Sequence, residues 1–178
     1  MRIIDNLEPT EAKKAVSFIN SYGDDALEMF KEGKSFDEVK KIVESGRYTI
    51  GTDELVVRDS IFLDADGNID WEKWAPNGGR VPGTIKENQT ISSGTIMDRY
   101  GSQWGKYTSP VGVPYEQRAL PYIENLNAYH KYEVLKPINN VTISEIAPAF
   151  EQVGGGIQFE LPYNIKKLKE LGYIKEIK

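Results

Sequence analysis

From Leu55 onward, β-branched and aromatic residues come in runs of only a few, separated by Gly, Pro and Asn at short intervals. A chain punctuated this often cannot sustain long helices, and apolar runs this short suit strands of a small twisted sheet. The expectation is an α+β protein: a small helical N-terminal region, then a compact, mainly antiparallel β-rich domain. Strands are expected at Thr95–Met97, Tyr129–Leu135 and Ile157–Leu161. Near the C-terminus, Ile165, Leu168 and Leu171 mark a short helix stopped by Gly172, and Tyr173–Ile177 reads as an edge strand. Asn77-Gly78-Gly79 and Val81-Pro82-Gly83 read as turns. In Asp64-Ala65-Asp66-Gly67-Asn68-Ile69-Asp70 the acidic spacing is that of a calcium loop. The glycine stands fourth instead of sixth, however, and no Glu stands at twelve, so a tight hairpin turn is expected.

Residues 1–58 have a different texture. Ala12, Ala15, Val16, Phe18 and Ile19 recur at helical spacing behind Thr10, a candidate N-cap, and Gly23 closes the segment. Asp24-Asp25 can start a second short helix carrying Ala26, Leu27, Met29 and Phe30, closed by Gly33. Ser35 and Glu38 have the capping-box spacing, with Phe36, Val39, Ile42 and Val43 as a buried stripe running to Gly46. Each helix is near the marginal length for standing alone, so the three read as an accessory bundle that packs. The expected division is 1–58 for this bundle and 59–178 for the β-rich domain.

Composition narrows the chemistry. The 178 residues include 22 Lys plus Arg and 27 Asp plus Glu, a formal charge of −5, which argues against a large nucleic-acid footprint. With no cysteine, thiol catalysis, disulfides and thiolate metal sites are excluded. A single histidine, His130, is too few for a multi-histidine metal centre, and no metal is expected. No apolar run approaches the ~20 residues of a membrane span, and the first thirty residues lack the apolar core of a signal peptide. Arg, Gln, carboxylates, hydroxyls, backbone groups and one imidazole are left to carry the function.

Three constellations hold such groups. Gly94-Thr95-Ile96-Met97-Asp98-Arg99-Tyr100-Gly101 brings an Asp-Arg pair into a glycine turn, where Arg99 suits bidentate binding of phosphate; an Asp98–Arg99 surface ion pair is the plain alternative. The stiff loop from Ser109 to Pro121 presents Arg118, twelve residues before His130. Two arginines and a histidine facing one cleft would hold a diphosphate, although a lone strand histidine is more often structural. Gly154-Gly155-Gly156 can cradle an anion with backbone N–H groups or simply turn, and Gln158 and Glu160 of the following strand share a face.

In this order, the segments resemble the tuberculosis necrotizing toxin domain, a family of NAD+ glycohydrolase toxins. The resemblance is carried by Trp74-Ala75-Pro76-Asn77-Gly78-Gly79, Gly94-Thr95, Asp98-Arg99-Tyr100-Gly101, Gly105-Lys106-Tyr107 and Ser109-Pro110. It continues through Tyr115-Glu116-Gln117-Arg118-Ala119-Leu120-Pro121, Tyr129-His130-Lys131-Tyr132-Glu133-Val134, Ile146-Ala147-Pro148, Gly154-Gly155-Gly156-Ile157-Gln158 and Leu171-Gly172-Tyr173-Ile174, spanning roughly residues 62–177. It implies hydrolysis of the nicotinamide–ribose bond of NAD+ or NADP+ as substrate, without a separate cofactor. Arg99, Arg118, His130 and Gln158 fall at positions the family uses in its NAD site. Gln158, His130 and Arg99 are then the expected catalytic residues, with Arg118, Tyr100, Tyr107, Gly155 and Gly156 binding substrate. Arg80 stands where the family often has an aromatic, leaving stacking to Tyr100 or Tyr107. The resemblance further implies the toxic end of a longer secreted protein, delivered to a target cell to act in its cytosol, and a dedicated immunity protein as partner.

Two rivals follow from the same residues. Arg99, Thr108-Ser109 and Gln158-x-Glu160 also come in the order used by mono-ADP-ribosyltransferase toxins, which break the same bond but transfer to protein. A non-enzymatic module binding partners through its acidic surface is the other.

Overall fold

The computed structural model describes residues 10, 13–16, 26–27, 29–41 and 55–178. Seven strands form one sheet in the order β1-β5-β6-β3-β2-β4-β7. They are β1 (Lys86–Ile91), β2 (Ile96–Tyr100), β3 (Tyr107–Pro110), β4 (Tyr129–Val134), β5 (Ile138–Glu145), β6 (Ile157–Glu160) and β7 (Ile174–Ile177). Every neighbouring pair is antiparallel, so the architecture is the expected mainly antiparallel α+β class.

One face of the sheet is apolar. Met97, Tyr132, Val134, Val141, Phe159 and Ile174 are buried there against Ile165 and Leu168 of the helix Ile165–Glu170. Asn164 caps that helix by accepting the Lys167 N–H at 2.8 Å, and Gly172, at φ 73°, releases the chain into edge strand β7. A second core of Phe62, Ile69, Ala119, Ile146, Ala149 and Phe150, with Trp71 and Trp74 against it, gathers the loops. Phe62 is edge-on to Trp74 at 5.0 Å and to Phe150 at 5.4 Å, the geometry preferred by ring quadrupoles. The segment from Asp64 to Asp70 is a turn: Leu63 bridges Ile69, and Asp64 Oδ1 accepts the Asp66 and Asn68 N–H groups at 2.9 Å.

In the N-terminal region, residues 10, 13–16, 26–27, 29–31 and 36–41 are helical. Ser35 and Glu38 form the reciprocal capping box, with Ser35 N–H donating to Glu38 Oε2 at 2.8 Å and Glu38 N–H to Ser35 Oγ at 3.3 Å. Thr10 is itself helical rather than a cap. The expected Ala12, Phe18, Ile19, Ile42 and Val43 positions, Gly23, Asp24-Asp25 and Gly46 lie outside the described residues. Ala15, Ala26, Met29, Phe30 and Val39 bury themselves around Trp104 of the β2–β3 connection. Lys34 and Lys166 each place an ammonium 5.3 Å from that ring, and Asn164 Nδ2 donates to Glu32 at 3.0 Å. The helical region thus packs onto the loop that follows Arg99.

Candidate active site

Adjacent strand residues point to opposite faces, and directly paired residues to the same one. Arg99 pairs with His130 and Met97 with Tyr132, so Arg99 and His130 stand on the apolar face, near its end. Asp98 pairs with Ser109 and Lys131, Tyr107 with Glu160, and Gln158 with Ser144. These residues, with Tyr100 and Tyr129, occupy the other face. The expected site is therefore divided by the sheet into two groups at the same end of it.

On the second face, Asp98 is fully buried and its carboxylate lies 2.6 Å from Arg118 Nη2. It also accepts the Tyr129 hydroxyl at 2.7 Å and the Gly112 N–H at 3.4 Å. Arg118 donates Nε and Nη2 to Val113 O at 3.0 and 2.8 Å and lies over Tyr100 at 5.2 Å. The alternative Asp98–Arg99 ion pair is not formed, because adjacent side chains leave on opposite faces. Arg118, expected to hold phosphate, pins the 110–118 loop to the sheet through Nε and Nη2. Around it, Tyr100 meets Tyr115 at 4.8 Å and Tyr129 at 5.0 Å. Burial pushes the Tyr115 and Tyr129 hydroxyls up to about 12, helped at Tyr129 by its bond to Asp98. Burial, then the Tyr100 hydroxyl's bond to Glu124 at 2.8 Å, raises Tyr100 further still. These phenols stay protonated donors at neutral pH.

Gln158 is half-buried on the same face. Its Nε2 donates to Ser144 Oγ at 3.2 Å and reaches Gly78 O at 3.5 Å. That carbonyl belongs to a strap, Pro76–Gly79, in which Asn77, Gly78 and Gly79 all take left-handed φ near 60°; Asn and Gly are the residues that tolerate this. The next residue, Arg80, is ion-paired with Glu160, which also accepts Lys106 Nζ at 2.9 Å. With its amide hydrogens engaged, Gln158 keeps the carbonyl oxygen as its remaining acceptor.

The triple glycine is no anion cradle. Its three N–H groups donate to Glu116 O at 3.3 Å, Ile146 O at 2.7 Å and Gln117 O at 3.1 Å. A side chain at Gly154 would meet Ile146 O at 2.6 Å, and one at Gly156 would meet Val113 Cγ1 at 2.6 Å. Glycine is needed here for close packing of loop against strand. Gly155 alone faces open space.

On the apolar face, Arg99 donates Nη1 to Tyr107 O at 3.0 Å. Its guanidinium fills the place a side chain at Gly105 would take, 1.9 Å from the nearest nitrogen. The partly exposed His130 turns Nδ1 to Glu176 Oε1 at 2.7 Å and stacks on Tyr132 at 6.5 Å. A carboxylate on Nδ1 fixes the tautomer and leaves Nε2 for another partner. Glu176, Ser144 and Lys106 escaped the sequence reading. Their partners lie 46, 14 and 54 residues away, and only strand register brings them together. Among the described residues, no group of three metal-ligating side chains occurs, and no helix is long and apolar enough to cross a membrane.

Residues 90–177 match the family described as Tuberculosis necrotizing toxin. The chain is 39% identical over 101 residues to the conidial surface nicotinamide adenine dinucleotide glycohydrolase of Aspergillus fumigatus, a match covering 52% of this chain and 42% of that protein. It is 33% identical over 115 residues to the outer membrane channel protein CpnT of Mycobacterium tuberculosis, covering 57% of this chain and 14% of that protein. The chain therefore spans less than half the length of either relative. Among solved structures, it is similar to tuberculosis necrotizing toxin complexed with its immunity factor, at TM-score 0.49 and 27% identity, over 64% of this chain and 65% of that one. Over residues 90–177, then, the chain is similar to the tuberculosis necrotizing toxin family.

Proposed function

We propose that the protein hydrolyses the bond between nicotinamide and ribose in NAD+, and in NADP+, and that it does so as the toxic part of a longer delivered protein. The observation that carries this reading is the 39% identity over 101 residues to a named NAD glycohydrolase, beside a family match over residues 90–177 that contains Gln158. The chemistry suits the residues. When the C1′–N bond breaks, its electron pair leaves with the pyridinium nitrogen, so nicotinamide departs neutral and needs no general acid. The ribose becomes oxocarbenium-like, and water adds at C1′ and releases a proton to solvent. Gln158, its amide hydrogens held by Ser144 and Gly78, presents the acceptor oxygen that orients this water and supports the positive ribose. Tyr107, on the same face, flanks the site. Arg99 and His130 form the second group, with Glu176 positioning the imidazole for a contact through Nε2.

The transferase alternative is not favoured. Glu160, which it needs as a reactive carboxylate, is held by Arg80 and Lys106. Thr108 points its hydroxyl to Met97 Sδ at 3.4 Å, away from Gln158. A dedicated immunity protein, blocking the toxin in the producing cell, completes the proposal.

Purified protein incubated with NAD+ should release nicotinamide and ADP-ribose, resolved by chromatography, without label appearing on protein. Unchanged NAD+ would overturn the reading. Because His130 and Gln158 stand on opposite faces, their contributions should be independent. The loss of transition-state stabilisation in the double variant His130→Ala, Gln158→Ala is expected to equal the sum of the single losses, unlike groups acting as one unit.

A further inference from the structure

Trp104 stands on the connection between β2 and β3, yet the core that buries it belongs to another part of the chain. It is 8% exposed, and the buried apolar residues gathered with it are Ala15, Ala26, Met29, Phe30 and Val39, all from the N-terminal region. Short helices of marginal length need tertiary packing to persist, and an indole from the β-rich domain contributes to it here. Lys34 from the N-terminal region and Lys166 from the helix Ile165–Glu170 each place an ammonium 5.3 Å from the ring, within cation–π range. Asn164, the cap of that helix, joins the same two regions by donating to Glu32 at 3.0 Å.

The backbone of the same loop packs against Arg99. A side chain at Gly105 would stand 1.9 Å from a guanidinium nitrogen and one at Gly101 would stand 3.0 Å away. The guanidinium thus lies directly on the two glycines that flank Trp104, and it donates to Tyr107 O at 3.0 Å just past the loop. The start of the helix holds the loop carbonyls, with Ile165 N–H donating to Gly105 O at 3.1 Å and Lys166 N–H to Gln103 O at 2.8 Å. The loop therefore meets Arg99 through its glycines and the N-terminal core through Trp104.

We infer that the N-terminal helices position Arg99: through Trp104 they hold the 102–106 loop in place, and the loop backbone fixes the guanidinium. Trp104 is a positioning residue that acts through Arg99. The inference takes the part of Arg99 in catalysis from the proposed reaction, and goes beyond it by giving the N-terminal region a role there. Close-packed groups do not shift singly, so a loop released from its cover lets the guanidinium move. A misplacement of about 1 Å at a catalytic group can cost about 10²-fold in rate. A region that only added stability would leave Arg99 where it stands.

The test compares Phe30→Ala, Trp104→Ala, Trp104→Phe and Glu32→Ala in the full chain. The measurements are amide hydrogen exchange, the Arg99 Nε–H signal in proton–nitrogen NMR spectra, and NAD+ turnover. Phe30→Ala and Trp104→Ala should speed exchange of the Ile165 and Lys166 amides about tenfold and shift or broaden the Arg99 signal. They should also lower kcat by about 10–10²-fold. Unchanged exchange across β5 and β6 checks that the sheet is folded. Trp104→Phe keeps an aromatic ring in the N-terminal core and should restore most of all three. Glu32→Ala, at an exposed side chain, should act in the same direction by less, and it decides by the same criterion where an alanine variant loses its sheet. An unmoved Arg99 signal in the alanine variants would overturn the inference. So would full turnover in variants whose signal has moved. If the unaltered protein leaves NAD+ intact, the proposed reaction fails, and exchange and the Arg99 signal still decide whether the helices position Arg99.

Discussion

Gln158→Ala is expected to lower kcat for NAD+ cleavage by about 10²–10³ while leaving the fold intact, the range found when one preorganised polar group is removed from a charge-stabilising site. The side chain is half-buried, and its amide nitrogen donates to Ser144 Oγ and Gly78 O. Removing it costs little packing, since the sheet core lies on the other face behind Phe159. Under the proposed reaction, what disappears is an oriented acceptor at the reacting ribose, an interaction stronger in the transition state than in the ground state. The loss should therefore fall on kcat more than on KM. Steady-state kinetics with NAD+ beside a thermal unfolding curve separates this from simple destabilisation. A variant that retains most of its kcat would remove Gln158 from the mechanism. Ser144→Ala should give a smaller loss in the same direction, because Ser144 acts only by holding the amide.

The second large effect is on stability. Asp98→Ala leaves the Arg118 guanidinium buried without its counter-charge, and strips the Tyr129 hydroxyl and the Gly112 N–H of their acceptor. Breaking a buried pair by removing one partner costs about 3–5 kcal/mol. In a chain of this size, that corresponds to a drop of roughly 10 °C or more in Tm. Arg118→Ala should be similar in size, since it strands the Asp98 carboxylate at zero exposure. The double variant should lose clearly less than the sum of the two, because each single change already pays the penalty of an unpaired charge. Differential scanning calorimetry of the three variants measures the coupling. A loss below about 1 kcal/mol in Asp98→Ala would show that the pair does not hold the loop.

Much of the fold was legible in the sequence where apolar residues alternate between turns. Ile96–Tyr100, Tyr129–Val134 and Ile157–Glu160 lie where β-branched and aromatic runs predict strands, although the first runs on past Met97 until Gly101 turns the chain. Three strands were hidden. Lys86–Ile91 buries only Ile91 and contains Asn88 in left-handed conformation, so it has neither the composition nor the alternation of a strand. Ile138–Glu145 is interrupted in the same way by Asn140. Tyr107–Pro110 looks like the start of a proline loop, yet it sits in the middle of the sheet.

The site divides along a similar line. Residue types and their order, read from the sequence alone, were enough to carry the family resemblance, and that resemblance singles out Gln158 as the group to test. Which side chains share a space was decided by tertiary structure, because that depends on strand register, and in a strand a step of one residue reverses the face. Asp98 and Arg99 are neighbours in the chain and strangers in the fold: one binds Arg118 at the heart of the second face, the other fills the space beside Gly105 on the first. Arg80, Lys106 and Glu160 are scattered over eighty residues, and pairing between β3 and β6 together with the strap before Arg80 brings them to one charge cluster beside Gln158.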